Sequence, residues 1–162
     1  MGLGDVYKRQ AFNTNWIAPL GPNVNQFENS IQKYIDNDIH VACLSSGTAA
    51  IHLGLKLLGV GRDDIVLCQS FTFSASANPI LYLGARPIFI DSERETWNID
   101  GKLLEKAIKE LIAEGKKPKA IIAVHLYGMP YNIDKLKKIS VKYNIPVLED
   151  SAEALGLSLI HI

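Results

Sequence analysis

Short apolar segments alternate with amphipathic segments along most of this chain. DIVLCQ and IPVLED are examples of the apolar kind, each closed by polar residues. A strand that is apolar on both faces must be covered on both faces, which is typical of a parallel sheet with helical crossovers. The alternation therefore predicts an α/β fold with a mostly parallel sheet and helices on both faces.

The periodicity of the sequence places the individual elements. Strands are predicted at residues 39–44, 64–69, 86–91 and 145–150, and residues 119–128 are predicted to be a strand that runs into a loop. Helices are predicted at residues 24–36, 48–58, 74–83, 100–115 and 132–144. The helix at 100–115 has the clearest boundaries, because an aspartate precedes it and a glycine ends it.

Composition narrows the class of protein. The 162 residues suffice for one domain with a core, and 17 basic residues balance 17 acidic ones, so nothing indicates nucleic acid or an anionic membrane as a partner. No apolar run approaches the ~18 residues of a membrane span. Cys43 and Cys68 lie in apolar runs without a CxxC pattern, which predicts buried, reduced thiols and no metal site. The predicted location is cytoplasmic.

Both ends differ from the rest of the chain. MGLGDVYKRQ lacks clear periodicity, and LSLIHI follows EDSAEALG without a turn or cap. Residues 1–10 and 157–162 are therefore predicted to be non-native tails around a fragment at residues 11–156.

Ligands of parallel sheets bind beyond the carboxyl ends of the strands. Five predicted loops meet at that edge, namely SSGT, SFTF, DSE, HLYG and EDSAE. In SSGTAA, Gly47 permits close backbone approach, and the N–H groups of Thr48 and Ala49 begin a helix, which favours an anion. The alternative is an ordinary helix cap, and a Walker loop is disfavoured because no GK[ST] follows.

Three further residues at this edge invite a functional interpretation. Asp150 follows a buried strand, where a charge is costly unless a cation or donor meets it. It could bind a metal, polarise water as the acid of a Walker B strand, or pair with a protonated heterocycle nitrogen; alternatively it caps the next helix. Phe73 can stack on a flat ring or belong to the core. His125, near Tyr127, is either a general base or a packing residue.

These motifs together resemble one family. APLGPNVNQFE, SSGTAAIHLGL, QSFTFSASANPILYLGARPIFID, NIDGKLLEKAI, VHLYGMP and PVLEDSAEALG occur in an order similar to that of DegT/DnrJ/EryC1/StrS sugar aminotransferases. The resemblance implies the large domain of a fold type I transferase that uses pyridoxal 5'-phosphate. IAPLG and EDSAEALG look most like enzymes that aminate UDP-linked 4-keto-6-deoxy-N-acetylhexosamines for surface glycans.

The resemblance also assigns roles to residues. It implies that Gly47, Thr48 and Ala49 hold the cofactor phosphate, that Phe73 stacks on the pyridine ring, and that Asp150 pairs with the ring nitrogen. Glu153 occupies the place of a residue near the ring hydroxyl, where Gln or His is more common. Pro19, Leu20 and His125 are expected near the keto-sugar.

The Schiff-base lysine of the family is expected beyond EALG, so this chain is predicted to contain no catalytic residue and to be inactive alone. The implied parent is a homodimer that transfers an amino group from a donor such as glutamate to a nucleotide-linked keto-sugar. Two alternatives remain open: a dehydratase of the same family, with histidine in place of the lysine, and a non-catalytic nucleotide-binding α/β module.

Overall fold

The computed structural model describes residues 3–15 and 20–156, with side chains from residue 8 onward. The chain divides into two compact units, Met1–Leu44 and Ser45–Ile162. No helix among the described residues is long and apolar enough to cross a membrane.

The first unit contains helices α1 (Leu3–Asn13) and α2 (Pro22–Ile35). Proline begins α2, where its missing N–H leaves no bond unmade. None of the residues of α2 is buried, although its apolar residues recur at helical spacing.

The second unit holds a four-stranded parallel sheet in the order β2-β1-β3-β4. Its elements follow in chain order: α3 (Gly47–Leu57), β1 (Ile65–Gln69), α4 (Asn78–Tyr82), β2 (Arg86–Ile90), α5 (Gly101–Ala113), β3 (Ala120–Val124), α6 (Ile133–Tyr143) and β4 (Val147–Asp150). The predicted α/β class with a parallel sheet is confirmed.

Alternate residues of the central strands enter two separate cores. In β1, Ile65 and Leu67 pack with residues of α5 and α6, whereas Val66 and Cys68 pack with residues of α3 and α4. This follows from the period of two in a strand, which sends neighbouring side chains to opposite faces. Both faces of the sheet are therefore covered by helices, as the continuous apolar runs predict.

Three helices of the second unit, α3, α5 and α6, begin at side-chain caps. Asp100 accepts hydrogen bonds from the backbone N–H groups of Lys102 at 2.6 Å and Leu103 at 3.4 Å, which starts α5. Asn132 does the same for α6 through Lys135 N at 3.0 Å. On α3, Gly54 lies so close to β4 that an added Cβ would be 2.9 Å from Leu148 Cδ1.

The predicted strand at residues 39–44 is wrong, because these residues form no ladder. A strand exists only where it finds a partner, and none of the described residues pairs with this segment. The prediction that Cys43 is buried is also wrong, because its side chain is exposed while Cys68 is buried. Four strand ends, not five, therefore form the carboxyl edge.

One other segment differs from the sequence-based expectation. The predicted helix at 74–83 is split into a 3-10 turn at Ser74–Ser76 and the short helix α4. Pro79 lies in the first turn of α4, where proline is tolerated, and its ring would clash inside a longer helix. Residues 3–10 lie within α1, and the assignment of residues 1–10 as a non-native tail stays a prediction.

Candidate functional site

A cleft of about 400 Å³ lies at the carboxyl edge of the sheet. The start of α3, the loop after β1 and the residues that follow β3 and β4 line it. The lining includes five predicted site residues, Gly47, Thr48, Phe73, Asp150 and Glu153. Residues far apart in sequence are thus gathered at one place, because parallel strands end at a common edge.

The start of α3 forms one wall of the cleft. Ser46 is the N-cap, and its Oγ accepts a hydrogen bond from Ala49 N at 3.2 Å. Ala49 is consequently engaged within the protein, and the cleft lining at this point is Gly47 and Thr48. A Cβ added at Gly47 would meet no heavy atom within 4 Å, so the space beside this backbone is open to a ligand.

The loop after β1 carries an exposed aromatic residue into the cleft. Phe73 has an extended backbone and a side chain 79% exposed. The buried amide of Gln69 fixes the base of this loop, donating to Phe71 O at 2.8 Å and accepting from Ile99 N at 3.2 Å. A large apolar ring left in solvent on a fixed loop is suited to covering a flat ligand.

An aromatic cluster that the sequence did not reveal lies beside Phe73. Phe71 makes edge-to-face contacts with Trp97 and Tyr127, with centroid distances of 6.1 and 6.2 Å. Trp97 and Tyr127 both have left-handed backbones, with φ of 63° and 50°. Such conformations cost of order 1–3 kcal/mol in non-glycine residues and concentrate at functional sites.

Asp150 ends β4 and faces the cleft. Its Oδ2 accepts from Ser76 Oγ at 3.1 Å and its Oδ1 from Ala152 N at 3.2 Å. Burial, and secondarily the charge of Asp150, raise the pKa of the Cys68 thiol to about 12. The carboxylate therefore sits over a buried, protonated thiol and is held by a hydroxyl from the turn at Ser74–Ser76.

Glu153 is anchored to the turn after β3. Its Oε2 accepts from the backbone N–H of Tyr127 at 2.7 Å. This bond ties the residues after β4 to the left-handed turn at Tyr127. Glu153 lines the cleft while one of its oxygens is engaged, and its place near the ring hydroxyl stays a prediction.

His125 belongs to a cluster beneath the edge and does not line the cleft. It is buried, its Nε2 lies 3.1 Å from Glu149 Oε1, and its ring stacks on Tyr131 at 4.5 Å. Tyr131 Oη donates to Glu149 Oε2 at 2.7 Å, and Ser151 Oγ donates to Glu149 Oε1 at 2.9 Å. The expectation that His125 meets a keto-sugar stays a prediction.

Contacts within the same cluster shift the pKa values of Glu149 and Tyr131. Burial raises the pKa of Glu149, but hydrogen bonds from Tyr131, His125 and Ser151 outweigh it, so the net direction is downward. Burial first, and then the hydrogen bond to Glu149, raise the pKa of Tyr131. Glu149 is therefore a carboxylate and Tyr131 a neutral phenol at neutral pH.

For the two other expected substrate residues, contact with a keto-sugar also stays a prediction. Pro19 is outside the described residues. Leu20 belongs to the first unit and is exposed. Residues 157–162, predicted as a tail, are also outside the described part.

The cleft suits an aromatic phosphate ester whose ring nitrogen is protonated. Open space beside Gly47 admits a phosphate at a helix N-terminus, where the dipole favours an anion. Phe73 offers a face for the ring, and Asp150 offers a negative charge. These are the contacts that pyridoxal 5'-phosphate requires.

The parallel α/β sheet and a cleft of this kind are typical of one class, the aminotransferases that use pyridoxal phosphate. The sequence matches the model of the DegT/DnrJ/EryC1/StrS aminotransferase family over residues 6–160. The chain belongs to this family.

Two curated relatives illustrate the similarity. EpsN of Bacillus subtilis (strain 168), which carries a provisional designation as a pyridoxal phosphate-dependent aminotransferase, is 51% identical over 96% of this chain and 40% of its own length. GDP-perosamine synthase of Escherichia coli O157:H7 is 37% identical over 96% of this chain and 41% of its own. The chain thus spans about 40% of the length of these relatives.

Solved structures agree with the fold. A DegT DnrJ EryC1 StrS aminotransferase from Brucella abortus superimposes with a TM-score of 0.86 at 32% identity, over 91% of this chain and 39% of that one. NtdA from Bacillus subtilis, solved with the cofactor PMP bound, gives a TM-score of 0.78 at 34% identity, over 86% of this chain and 30% of that one. The chain therefore has the fold of part of such an enzyme.

Proposed function

We propose that residues 11–156 are the N-terminal part of the large domain of a pyridoxal phosphate-dependent sugar aminotransferase. The complete gene product transfers an amino group, with glutamate as the donor, to a nucleotide-linked keto-sugar for surface glycans, and acts as a cytoplasmic homodimer. The observation that carries this proposal is the single cleft shared by Gly47, Thr48, Phe73 and Asp150.

Each of these residues has a physical task. Gly47 and Thr48 bind the phosphate through the N-terminus of α3, and the Thr48 hydroxyl adds a donor. Phe73 covers one face of the ring and excludes water from it. Asp150 holds a proton on the ring nitrogen, because a nearby negative charge favours the charged form of a base.

The bound cofactor supplies an electron sink for the amino donor as its Cα–H bond breaks. No lysine of the described residues lines the cleft. We therefore propose that this chain binds the cofactor but does not turn over an amino acid by itself.

Binding of pyridoxamine 5'-phosphate (PMP) tests the proposal, because this form needs no covalent lysine. The complete gene product should bind PMP in a calorimeter, and Thr48→Val should weaken binding about tenfold, the loss of a charge-assisted hydrogen bond. Asp134→Asn on the surface of α6 is the matched control. Magnesium-dependent nucleotide binding without PMP binding would instead identify the nucleotide-binding module.

The reaction itself requires a separate assay. Incubation of the complete gene product with glutamate and a nucleotide-linked 4-keto-sugar should give an amino-sugar and 2-oxoglutarate by mass spectrometry. A deoxygenated sugar without amino transfer would indicate the dehydratase of the same family. Transaminase turnover by the 162-residue chain alone would contradict the proposed inactivity.

A further inference from the structure

Ser76 is a buried polar residue that the proposed function leaves without a task. Its side chain is fully buried in the 3-10 turn at Ser74–Ser76, and its N–H donates to Phe73 O at 3.0 Å. Its Oγ lies 3.1 Å from Asp150 Oδ2 and 2.9 Å from Thr72 Oγ1. One hydroxyl therefore links the wall of the cleft to the carboxylate.

The direction of these hydrogen bonds follows from counting protons. An ionised Asp150 can only accept, so the single hydroxyl proton of Ser76 is directed to Oδ2. The Ser76 oxygen then accepts from Thr72, whose own proton is used in turn. The chain Thr72 to Ser76 to Asp150 is thus polarised towards the carboxylate, and each bond strengthens the next.

We propose that Ser76, supported by Thr72, is a positioning residue that fixes the Asp150 carboxylate against the ring nitrogen of the cofactor. The inference rests on the proposed function. Asp150 Oδ1 is held by Ala152 N from the following turn, so the bond from Ser76 is what fixes the other oxygen. Without the hydrogen bond from Ser76, the Asp150 carboxylate can rotate about its side-chain bonds, and its charge is held less firmly towards the ring nitrogen.

The polarisation also defines what Thr72 presents to a ligand. Thr72 lines the cleft, and because its proton is committed to Ser76, its oxygen offers only lone pairs there. A ligand group beside Thr72 must therefore be a donor or apolar. An anion is disfavoured at this point, which separates it from the phosphate site at Gly47.

The test compares Ser76→Ala with Ser92→Ala in the complete gene product. Ser92 Oγ is buried and has no hydrogen-bond partner among the described residues, so its removal deletes a hydroxyl without touching Asp150. We expect Ser76→Ala to raise the dissociation constant for PMP about tenfold, as for loss of a bond to a charged group, and Ser92→Ala to leave it unchanged. The 15N chemical shift of ring-labelled PMP should move towards the unprotonated value in Ser76→Ala alone.

A second measurement separates positioning from general damage. In an Asp150→Ala background, Ser76→Ala should cause no further loss of PMP affinity, because the bond it removes is already gone. If Ser76→Ala does not fold, Thr72→Val carries the test, with an expected threefold loss of about the size of a neutral hydrogen bond.

Two outcomes overturn the inference, and they differ from failure of the proposed function. Wild-type affinity and 15N shift in Ser76→Ala, or in Thr72→Val where that variant replaces it, would show that Asp150 needs no support from this hydroxyl. An undiminished effect in the Asp150→Ala background would show that Ser76 acts elsewhere. Absence of PMP binding to the unmodified protein would instead reject the proposed function, and this inference with it.

Discussion

Glu149 and Asp150 are adjacent carboxylates at the end of β4, yet their surroundings differ completely. Glu149 lies on the side of α5 and α6, where Tyr131, His125 and Ser151 all direct polar atoms at it within 3.1 Å. Asp150 lies on the side of α3 and α4, with one hydroxyl and one backbone donor, and faces a cleft.

The difference is consistent with a structural role for Glu149 and with the functional role that we propose for Asp150. A carboxylate has about four acceptor positions. Three side chains occupy three of the acceptor positions of Glu149. Glu149 is therefore suited to holding the turn after β4 in place. Asp150 keeps acceptor capacity towards the cleft, which is what a group that meets a ligand needs.

Asp150→Asn should have the largest effect on ligand binding. The amide keeps the shape but loses the charge that stabilises a protonated ring nitrogen, so PMP affinity should fall about 10- to 100-fold, equivalent to about 1.5–3 kcal/mol. Titration calorimetry on the complete gene product measures it. Glu149→Gln is the matched control, and an equal loss there would erase the distinction between the two acids.

Gly54→Val should lower both the stability of the protein and its affinity for PMP. A Cβ at residue 54 would lie 2.9 Å from Leu148 Cδ1, so a branched side chain must displace the Leu148 side chain or shift α3 relative to β4. Overpacking of this kind costs about 1–3 kcal/mol of unfolding free energy, and PMP affinity should fall because Gly47 and Asp150 move apart. Chemical denaturation and calorimetry test this, with Gly61→Val, which lies in open space, as the control.

Glu149→Gln should lower stability by about 1 kcal/mol while leaving PMP affinity within twofold. Its side chain is 48% exposed, so solvent screens part of what the three hydrogen bonds contribute. Urea unfolding at neutral pH measures the change. A variant as stable as the parent would show that the Tyr131–His125 cluster does not depend on this charge.

The smallest expected effect is on the stability of the protein at acidic pH. The pKa of Glu149 is lowered in the folded state, so its contribution is complete above the unfolded carboxyl range and is lost as pH falls through the folded pKa. Hydrogen bonds from Lys142 and Tyr143 likewise lower the pKa of Glu105, to about 2. Between about pH 4.5 and pH 2, melting temperature should fall less steeply in Glu105→Gln than in the parent.

Much of the fold was predictable because its signals are local. The cap at Asp100 and the left-handed C-cap at Asn144 lie within one turn of their helices, and the central strands are apolar throughout. The segment at 39–44 was not predictable as coil, since only tertiary structure decides whether an apolar run finds a partner strand.

The site was predictable to the extent that it uses strand ends. Phe73 and Asp150 follow buried strands, and the parallel topology brings them to one cleft. The Ser76 contact could not be read from the sequence, because it joins residues 74 positions apart through a 3-10 turn with no side-chain cap. The sequence left His125 open as a general base or a packing residue, and the structure encloses it with an adjacent carboxylate and a stacked tyrosine, contacts that only tertiary structure reveals.

The parallel register of the sheet has an evolutionary consequence. Val124 of β3 lies opposite Asp150 of β4, and Cys68 of β1 lies opposite Ile122 of β3, so the strands that carry the site are locked to one another by backbone hydrogen bonds. Backbone pairing does not depend on side-chain identity. Descendants of this chain are therefore free to exchange the loop residues around the cleft, while Asp150, the acid that we propose serves the cofactor, is inherited in the same place.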